Sequence, residues 1–197
     1  MNLVMRFALA AFLAPAAASL GCGGNPPAPP PPCDIQCQDG VAIRALRVGM
    51  RLAYNFAIAS KPVGKQDATA PCIPSGSVHI VGTAESNAML GTSQIDLTYT
   101  FTNCKNPSIK STTPERNYNV TMNGVVNEKG TLAMGGPTTS LVFIGTGLGI
   151  VGPVYDPPVD YPPPEHPQLD CELFANQDGN NVNGTLCGRT AKGFTGF

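Results

Sequence analysis

Histidine, tryptophan and charged residues are scarce in this chain, and each scarcity narrows the range of functions. There are two histidines, His79 and His166, and no tryptophan, and charged residues make up 13% of the 197 positions. Catalysis by a histidine base therefore has two candidates. Twelve basic residues against thirteen acidic ones leave a formal net charge of −1. Because a nucleic-acid partner requires a basic field, we expect none.

The chain also lacks a hydrophobic run of transmembrane length. Its apolar run covers residues 7–20 and contains Pro15, whereas a spanning helix needs about 20 apolar residues. Arg6 precedes the run, no acidic residue occurs before Cys22, and small residues follow the apolar stretch. This order is typical of a secretory signal, so residues 1–21 are predicted to be a signal peptide.

The end of that segment, Ser19-Leu20-Gly21-Cys22, resembles the lipobox of Gram-negative envelope lipoproteins. The resemblance implies that the Cys22 thiol takes a diacylglyceryl group, that cleavage occurs before Cys22, and that the protein is held on a membrane. It departs from the commonest pattern at Ser19, where leucine is usual, and an ordinary signal peptide with an unmodified Cys22 is the alternative. Gly23 after the cysteine resembles lipoproteins sorted to the outer membrane, the expected location.

A proline tract follows the lipobox, at residues 26–32 with one alanine. Proline favours an extended left-handed helix, so residues 22–38 are predicted to form a semi-rigid tether. A proline-rich ligand for another protein domain is the alternative interpretation. Residues 39–197 are then predicted to form a single domain.

The seven cysteines predict one lipidation site and three disulfides. An odd count leaves one thiol unpaired in an oxidising compartment, and Cys22 is assigned to lipid. Facing residues of an antiparallel hairpin share a midpoint in its turn, which pairs Cys171 with Cys187 and Cys72 with Cys104. Elimination then pairs Cys33 with Cys37. A zinc site is not expected, because Cys33 and Cys37 have no second close pair of cysteines.

Residues 40–59 have helical periodicity, with an apolar stripe on one side and three arginines on the other. The stripe consists of Ala42, Leu46, Gly49, Ala53 and Phe56, and the arginines are Arg44, Arg47 and Arg51. Asp39 is expected near the helix start, where a negative charge favours the helix dipole. The arginine row is interpreted as the solvated face of the helix. Contact with anionic lipid or phosphate is the alternative.

After Pro71 the periodicity changes from 3.6 to 2, which predicts antiparallel strands. The predicted strands are residues 77–83, 95–102, 117–126, 131–134, 140–152, 172–177 and 182–189, with turns near 85–92, 127–130 and 178–181. A proline-rich connection covers residues 152–170. The fold class is therefore α+β, mainly β: one N-terminal helix packed on an antiparallel sheet, a meander or partial barrel, with disulfide cross-links.

Two sequence patterns resemble ligand-binding sites, but each has a simpler explanation without a ligand. Four acidic residues surround His166 in the proline-rich connection and suggest a calcium site, yet a solvated loop explains them better. Residues 147–152 fit GxGxxG, but Pro153 follows, so no nucleotide-binding helix opens there. We expect no metal, no cofactor and no catalytic residues.

The leading functional hypothesis is a membrane-anchored envelope lipoprotein with a non-enzymatic binding or structural role. Residues 184–189, Gly-Thr-Leu-Cys-Gly-Arg, resemble a segment of uncharacterised bacterial lipoproteins, a resemblance that implies no activity. Expected partners are the membrane, through the lipid on Cys22, and an envelope protein or an apolar ligand. One alternative is a carrier that holds a lipid or other apolar ligand between sheet and helix. A weaker alternative is a hydrolase that uses His79 or His166.

Overall fold

One helix, α1 (Ile35–Ala57), begins the described part of the chain. The computed structural model describes residues 33–61, 63–87, 89–108, 117–133, 139–155 and 168–194. Within these ranges no helix has the length and apolar character needed to cross a membrane. The proline tract, Cys22 and His166 lie outside the described residues.

Helix α1 begins earlier than its periodicity predicts. The side chain of Asp34 accepts a hydrogen bond from the Cys37 backbone N–H at 2.9 Å and caps the helix. The disulfide between Cys33 and Cys37 spans the same turn. The helix therefore starts inside the segment predicted to be tether.

Nine strands follow α1 in the part of the chain that the structure describes. Their bounds are β1 (Gly64–Pro71), β2 (Ser75–Asn87), β3 (Thr92–Pro107), β4 (Asn117–Ala133), β5 (Ser140–Val151), β6 (Val154–Tyr155), β7 (Gln168–Asp178), β8 (Asn181–Leu186) and β9 (Arg189–Phe194). Eight of them form one open antiparallel sheet in the order β1-β2-β3-β4-β5-β7-β8-β9, and the short β6 pairs with the start of β4. The predicted α+β, mainly β fold is confirmed. Strands β1, β6 and β9 were not predicted. The polar sequence of β1 shows no apolar alternation, and the strand predicted over 182–189 ends at Leu186, where a turn leads into β9.

The core lies between α1 and the concave side of the sheet. Along β3 the predicted alternation is confirmed, since Ile95, Leu97, Tyr99 and Phe101 are buried. Helix α1 contacts both edge strands, β1 and β9, so the sheet curves around it. Four of the five predicted stripe residues are buried, but Phe56 is exposed, because Ala53 and Ala57 take the sheet-facing side of the last turn.

The turn predicted at residues 127–130 does not form. Strand β4 runs through it, and its polar residues have partners on β3: Asn127 donates to Asp96 Oδ1 at 3.0 Å, and Lys129 Nζ lies 2.8 Å from Asp96 Oδ2. The hydrogen bond from Lys129, and then that from Asn127, lower the pKa of Asp96. Gly130 adopts a φ of 135°, which lets the strand continue beside β5.

All three predicted disulfide pairs are confirmed. The Cα–Cα distances are 5.2 Å for Cys33–Cys37, 5.3 Å for Cys72–Cys104 and 4.6 Å for Cys171–Cys187. Cys171–Cys187 closes the β7–β8 hairpin as predicted. Cys72, by contrast, lies in the turn between β1 and β2, where its backbone N–H donates to the Gly76 carbonyl. It bonds to Cys104 of β3 without being part of the β2–β3 ladder.

Gly82 of β2 provides a test of the strand packing. Its φ is 142°, and a Cβ built there would collide with the backbone carbonyl oxygen of Asp96 on β3. We expect Gly82→Ala to lower the free energy of unfolding by about 2–5 kcal/mol, measured by urea denaturation. Gly91→Ala is the matched control, because its φ is 60° but no atom lies within 4 Å, and it should cost about 1 kcal/mol. Equal losses for the two variants would contradict this account.

Candidate functional site

A charged cluster lies in the core where α1 crosses the middle strands, and Arg47 is its centre. The Arg47 Nε donates to Gln177 Oε1 of β7 at 2.7 Å, and Arg47 NH1 lies 3.2 Å from Glu128 Oε1 of β4. The guanidinium stands 5.4 Å from the centroid of the Phe143 ring. Arg47 is 7% exposed and Glu128 is 1% exposed. The expectation that the whole arginine row is solvated is therefore wrong for Arg47.

Arg47 is buried because the curved sheet extends past the apolar stripe of α1. Helical spacing places Arg44, Arg47 and Arg51 on one side of the helix, but 47 is the position that turns furthest towards β4 and β7. Arg44 is partly exposed and stands over the Tyr118 ring at 5.5 Å from its centroid. Arg51 is also partly exposed, and partial burial, with a contribution from the nearby charge of Arg47, lowers its pKa.

Tyr99 of β3 joins this cluster from the neighbouring strand. Its side chain is fully buried. Burial first, and then the negative charge of Glu128, raise the pKa of Tyr99 well above its ordinary value. The neutral phenol is therefore the form that the folded protein accommodates. Together, Arg47, Glu128, Gln177 and Tyr99 connect α1 to strands β3, β4 and β7.

A second buried charge fixes α1 to the last strand. Asp39 is fully buried, and both of its carboxylate oxygens accept hydrogen bonds from Arg189 of β9, at 2.8 and 2.9 Å. Paired bonds of this kind fix direction as well as distance. Asp39 therefore lies in the second turn of the helix, where it binds β9. The negative charge expected at the helix start is supplied by Asp34, which caps the helix.

A small apolar cavity adjoins the Arg47 cluster. It is lined by Ile43, Leu46, Arg47, Met50, Phe143, Leu173, Ala175 and Val182, and its volume is about 10 Å³, roughly that of one water molecule. Binding pockets for small molecules usually measure about 300–1,000 Å³. A cavity of this size is an ordinary packing defect of a protein core. Because it is smaller than a ligand pocket, it does not favour the carrier alternative.

His79 meets a carboxylate, but on an open surface. Its Nε2 lies 2.8 Å from Asp67 Oδ1 of β1, and both side chains are largely exposed on the outer side of the sheet. Thr100 of β3 is the cross-strand neighbour of His79. A hydrolase needs its base and nucleophile enclosed with the substrate, and an exposed strand surface does not enclose one. His166 lies outside the described residues.

The calcium site considered as an alternative for the loop around His166 involves residues that are mostly outside the described ranges. Asp156, Asp160 and Glu165 fall in the undescribed connection before β7, and Asp170 lies exposed on β7. Within the described ranges, no group of three histidine, cysteine, aspartate or glutamate side chains is placed to hold a metal ion.

Glu128 and Gln177 were not singled out from the sequence, although one signal could have identified Glu128. The buried alternation on β4 reaches Val126, and extending it by two residues places Glu128 on the inner side. The assumed turn at 127–130 concealed this pattern. Neither protein-family models, nor curated proteins, nor solved structures gave a match to this chain.

The pairing of Arg47 with Glu128 predicts a non-additive effect on stability. Arg47→Met leaves a buried carboxylate without its cation, so we expect it to lower the free energy of unfolding by about 3–5 kcal/mol. The double variant Arg47→Met/Glu128→Leu should recover most of that loss. Arg44→Met is the matched control on the same helix and should cost about 1 kcal/mol, since it loses a contact with the Tyr118 ring. Additive effects in urea denaturation would show that the pair is not coupled.

The raised pKa of Tyr99 predicts instability in alkali. In the unfolded chain the phenol ionises near its ordinary value of 10.0, but in the fold it stays protonated to higher pH. Its contribution to stability is thus complete below about pH 10 and is lost as the pH rises towards the folded pKa. Tyr99→Phe should flatten the fall in unfolding free energy measured between about pH 9 and 11. A slope for Tyr99→Phe equal to that of the unsubstituted protein would contradict the assignment.

Proposed function

We propose that this protein is an envelope lipoprotein, anchored to a membrane by a lipid on Cys22, with a non-enzymatic binding or structural role. The observation that carries the proposal is the pairing of the cysteines. Six of the seven cysteines are used in three disulfides, so by count Cys22 is the seventh, outside these pairs. An exported protein with one remaining thiol, placed at a lipobox, is consistent with lipidation there.

The packing of the helix supports binding at an outer surface over binding in a cavity. Helix α1 occupies the concave side of the sheet, and its inward residues Ala45, Leu46 and Met50 are buried there. A carrier would need that space for its ligand. The convex side of the sheet, in contrast, remains accessible.

The convex side carries an apolar pair that suits a protein partner of the envelope. Ile144 of β5 and Phe174 of β7 face each other across the ladder and are 51% and 55% exposed. Asn127 lies beside Ile144 on β4, and Thr185 lies beside Phe174 on β8. An aromatic and aliphatic centre within a neutral polar rim is the usual composition of a protein-binding patch. We propose this pair as the binding surface.

The open position of the His79–Asp67 pair is the reason for proposing a non-enzymatic role. The His79 side chain is about half exposed and that of Asp67 is largely exposed, and they lie on neighbouring strands. The outer membrane remains the proposed location, on the basis of Gly23 after the lipobox.

Mass spectrometry of the mature N-terminus tests the anchor. We expect the protein to start at Cys22 and to carry the mass of a diacylglyceryl group, and Cys22→Ser should move it from the membrane fraction to the soluble fraction. The double variant Cys33→Ser/Cys37→Ser is the matched control and should keep the lipid, because its cysteines are joined to each other. An unmodified N-terminus, or a start at another residue, would refute the anchor.

A further inference from the structure

The end of α1 carries apolar side chains that the sheet does not cover. Leu52 and Phe56 are one helical turn apart and therefore point to the same side, and they are 53% and 67% exposed. Val63 follows in the connection to β1 and is also exposed. These three residues form what we call the helix-end patch. An exposed leucine and phenylalanine on one helix face are typical of a contact site.

The charges along the segment of chain that carries the helix-end patch, residues 40–66, are all of one sign. Residues 40–66 contain five of the twelve basic residues of the chain and none of its thirteen acidic ones. Arg47 is neutralised by Glu128 in the core, while Arg51 and Lys61 lie near the patch at partly or fully exposed positions. The acidic residue of α1, Asp39, is buried against Arg189. The helix side of the protein is therefore complementary to an anionic surface.

The length of chain before the fold allows this face to reach the membrane. Residues 22–32 number eleven and precede Cys33. A proline-rich chain of eleven residues, at about 3.1 Å per residue when extended, can reach roughly 34 Å. Helix α1, with 23 residues, is about 35 Å long. A tether of that length lets α1 lie parallel to the bilayer to which Cys22 is attached, so that the helix-end patch touches the lipid.

We propose that the helix-end patch, with Arg51 and Lys61, rests on the anionic phospholipid bilayer that holds the anchor. This inference depends on the proposed function for the presence of the anchor. Apolar side chains that enter the interface and cations that meet anionic headgroups are the two forces that hold an amphipathic helix on a membrane. The convex side of the sheet then faces away from the bilayer, where the pair formed by Ile144 and Phe174 is accessible to partners.

The absence of tryptophan allows a direct test. The chain beginning at Cys22 is coupled through that thiol to a maleimide phospholipid in vesicles of phosphatidylcholine and phosphatidylglycerol. Phe56→Trp places a single tryptophan in the helix-end patch. Phe174→Trp is the matched control, because it replaces another exposed phenylalanine, on the convex side. Leu52→Trp is a second reporter in the patch.

We expect the emission of Phe56→Trp and Leu52→Trp to shift to shorter wavelength on the vesicles. Lipids brominated in their acyl chains should quench it by about half, since such helices enter the bilayer by about 5–10 Å. Emission of Phe174→Trp should not change. The response should weaken in phosphatidylcholine alone and at high salt, where headgroup attraction is lost or screened.

Three results would overturn the inference. These are the absence of quenching in both patch reporters, equal quenching in the Phe174→Trp control, and a wavelength shift that appears without vesicles as the protein is concentrated. The last result would assign the patch to contact with a second copy of the chain. Chemical coupling makes the vesicle test independent of lipidation in the cell, so a failed anchor and a failed docking face are distinguished.

Discussion

Helix α1 packs into the concave side of a sheet whose two edge strands both contact it. The inward side chains of the strands and the apolar side of the helix bury each other, and neither would be stable in water alone. The disulfides do not replace this packing. Cys33–Cys37 lies at the helix start, Cys72–Cys104 joins a turn to β3, and Cys171–Cys187 closes a hairpin. No described disulfide joins the helix to the sheet, so helix and sheet are held together by non-covalent contacts.

Two ion pairs with buried carboxylates fix how the helix lies within that packing. Apolar contacts alone permit sliding and rotation, because they are not directional. Asp39 binds Arg189 of β9 with two hydrogen bonds, and Arg47 reaches Glu128 of β4 and Gln177 of β7 further along the helix. Buried charges are costly unless they are paired, so a shifted helix would leave them unpaired. The pairs therefore favour a single position of α1.

The same packing separates the surface of the protein into two faces with different chemistry. Because the sheet-facing side of α1 is buried, its other side presents Leu52, Phe56 and basic residues to solvent. The convex side of the sheet is mostly polar and carries paired side chains, such as the ion pair of Asp96 with Lys129 and the contact of Asp67 with His79. In the proposed orientation, one of these faces lies against the membrane and the other is accessible to partners.

The sequence by itself determined the fold class, the strands with apolar alternation and the pairing of all six disulfide cysteines. Those features depend on local periodicity and on turns, which are encoded by neighbouring residues. It did not reveal β1, whose polar residues form a strand because β2 offers a free edge, nor the unbroken course of β4, which depends on Asp96 of another strand. Helical spacing placed Arg47 beside Arg44 and Arg51, but burial of Arg47 was decided by the tertiary structure. Periodicity predicts which residues share a side of a helix, whereas the curvature of the sheet determines how much of that side is buried.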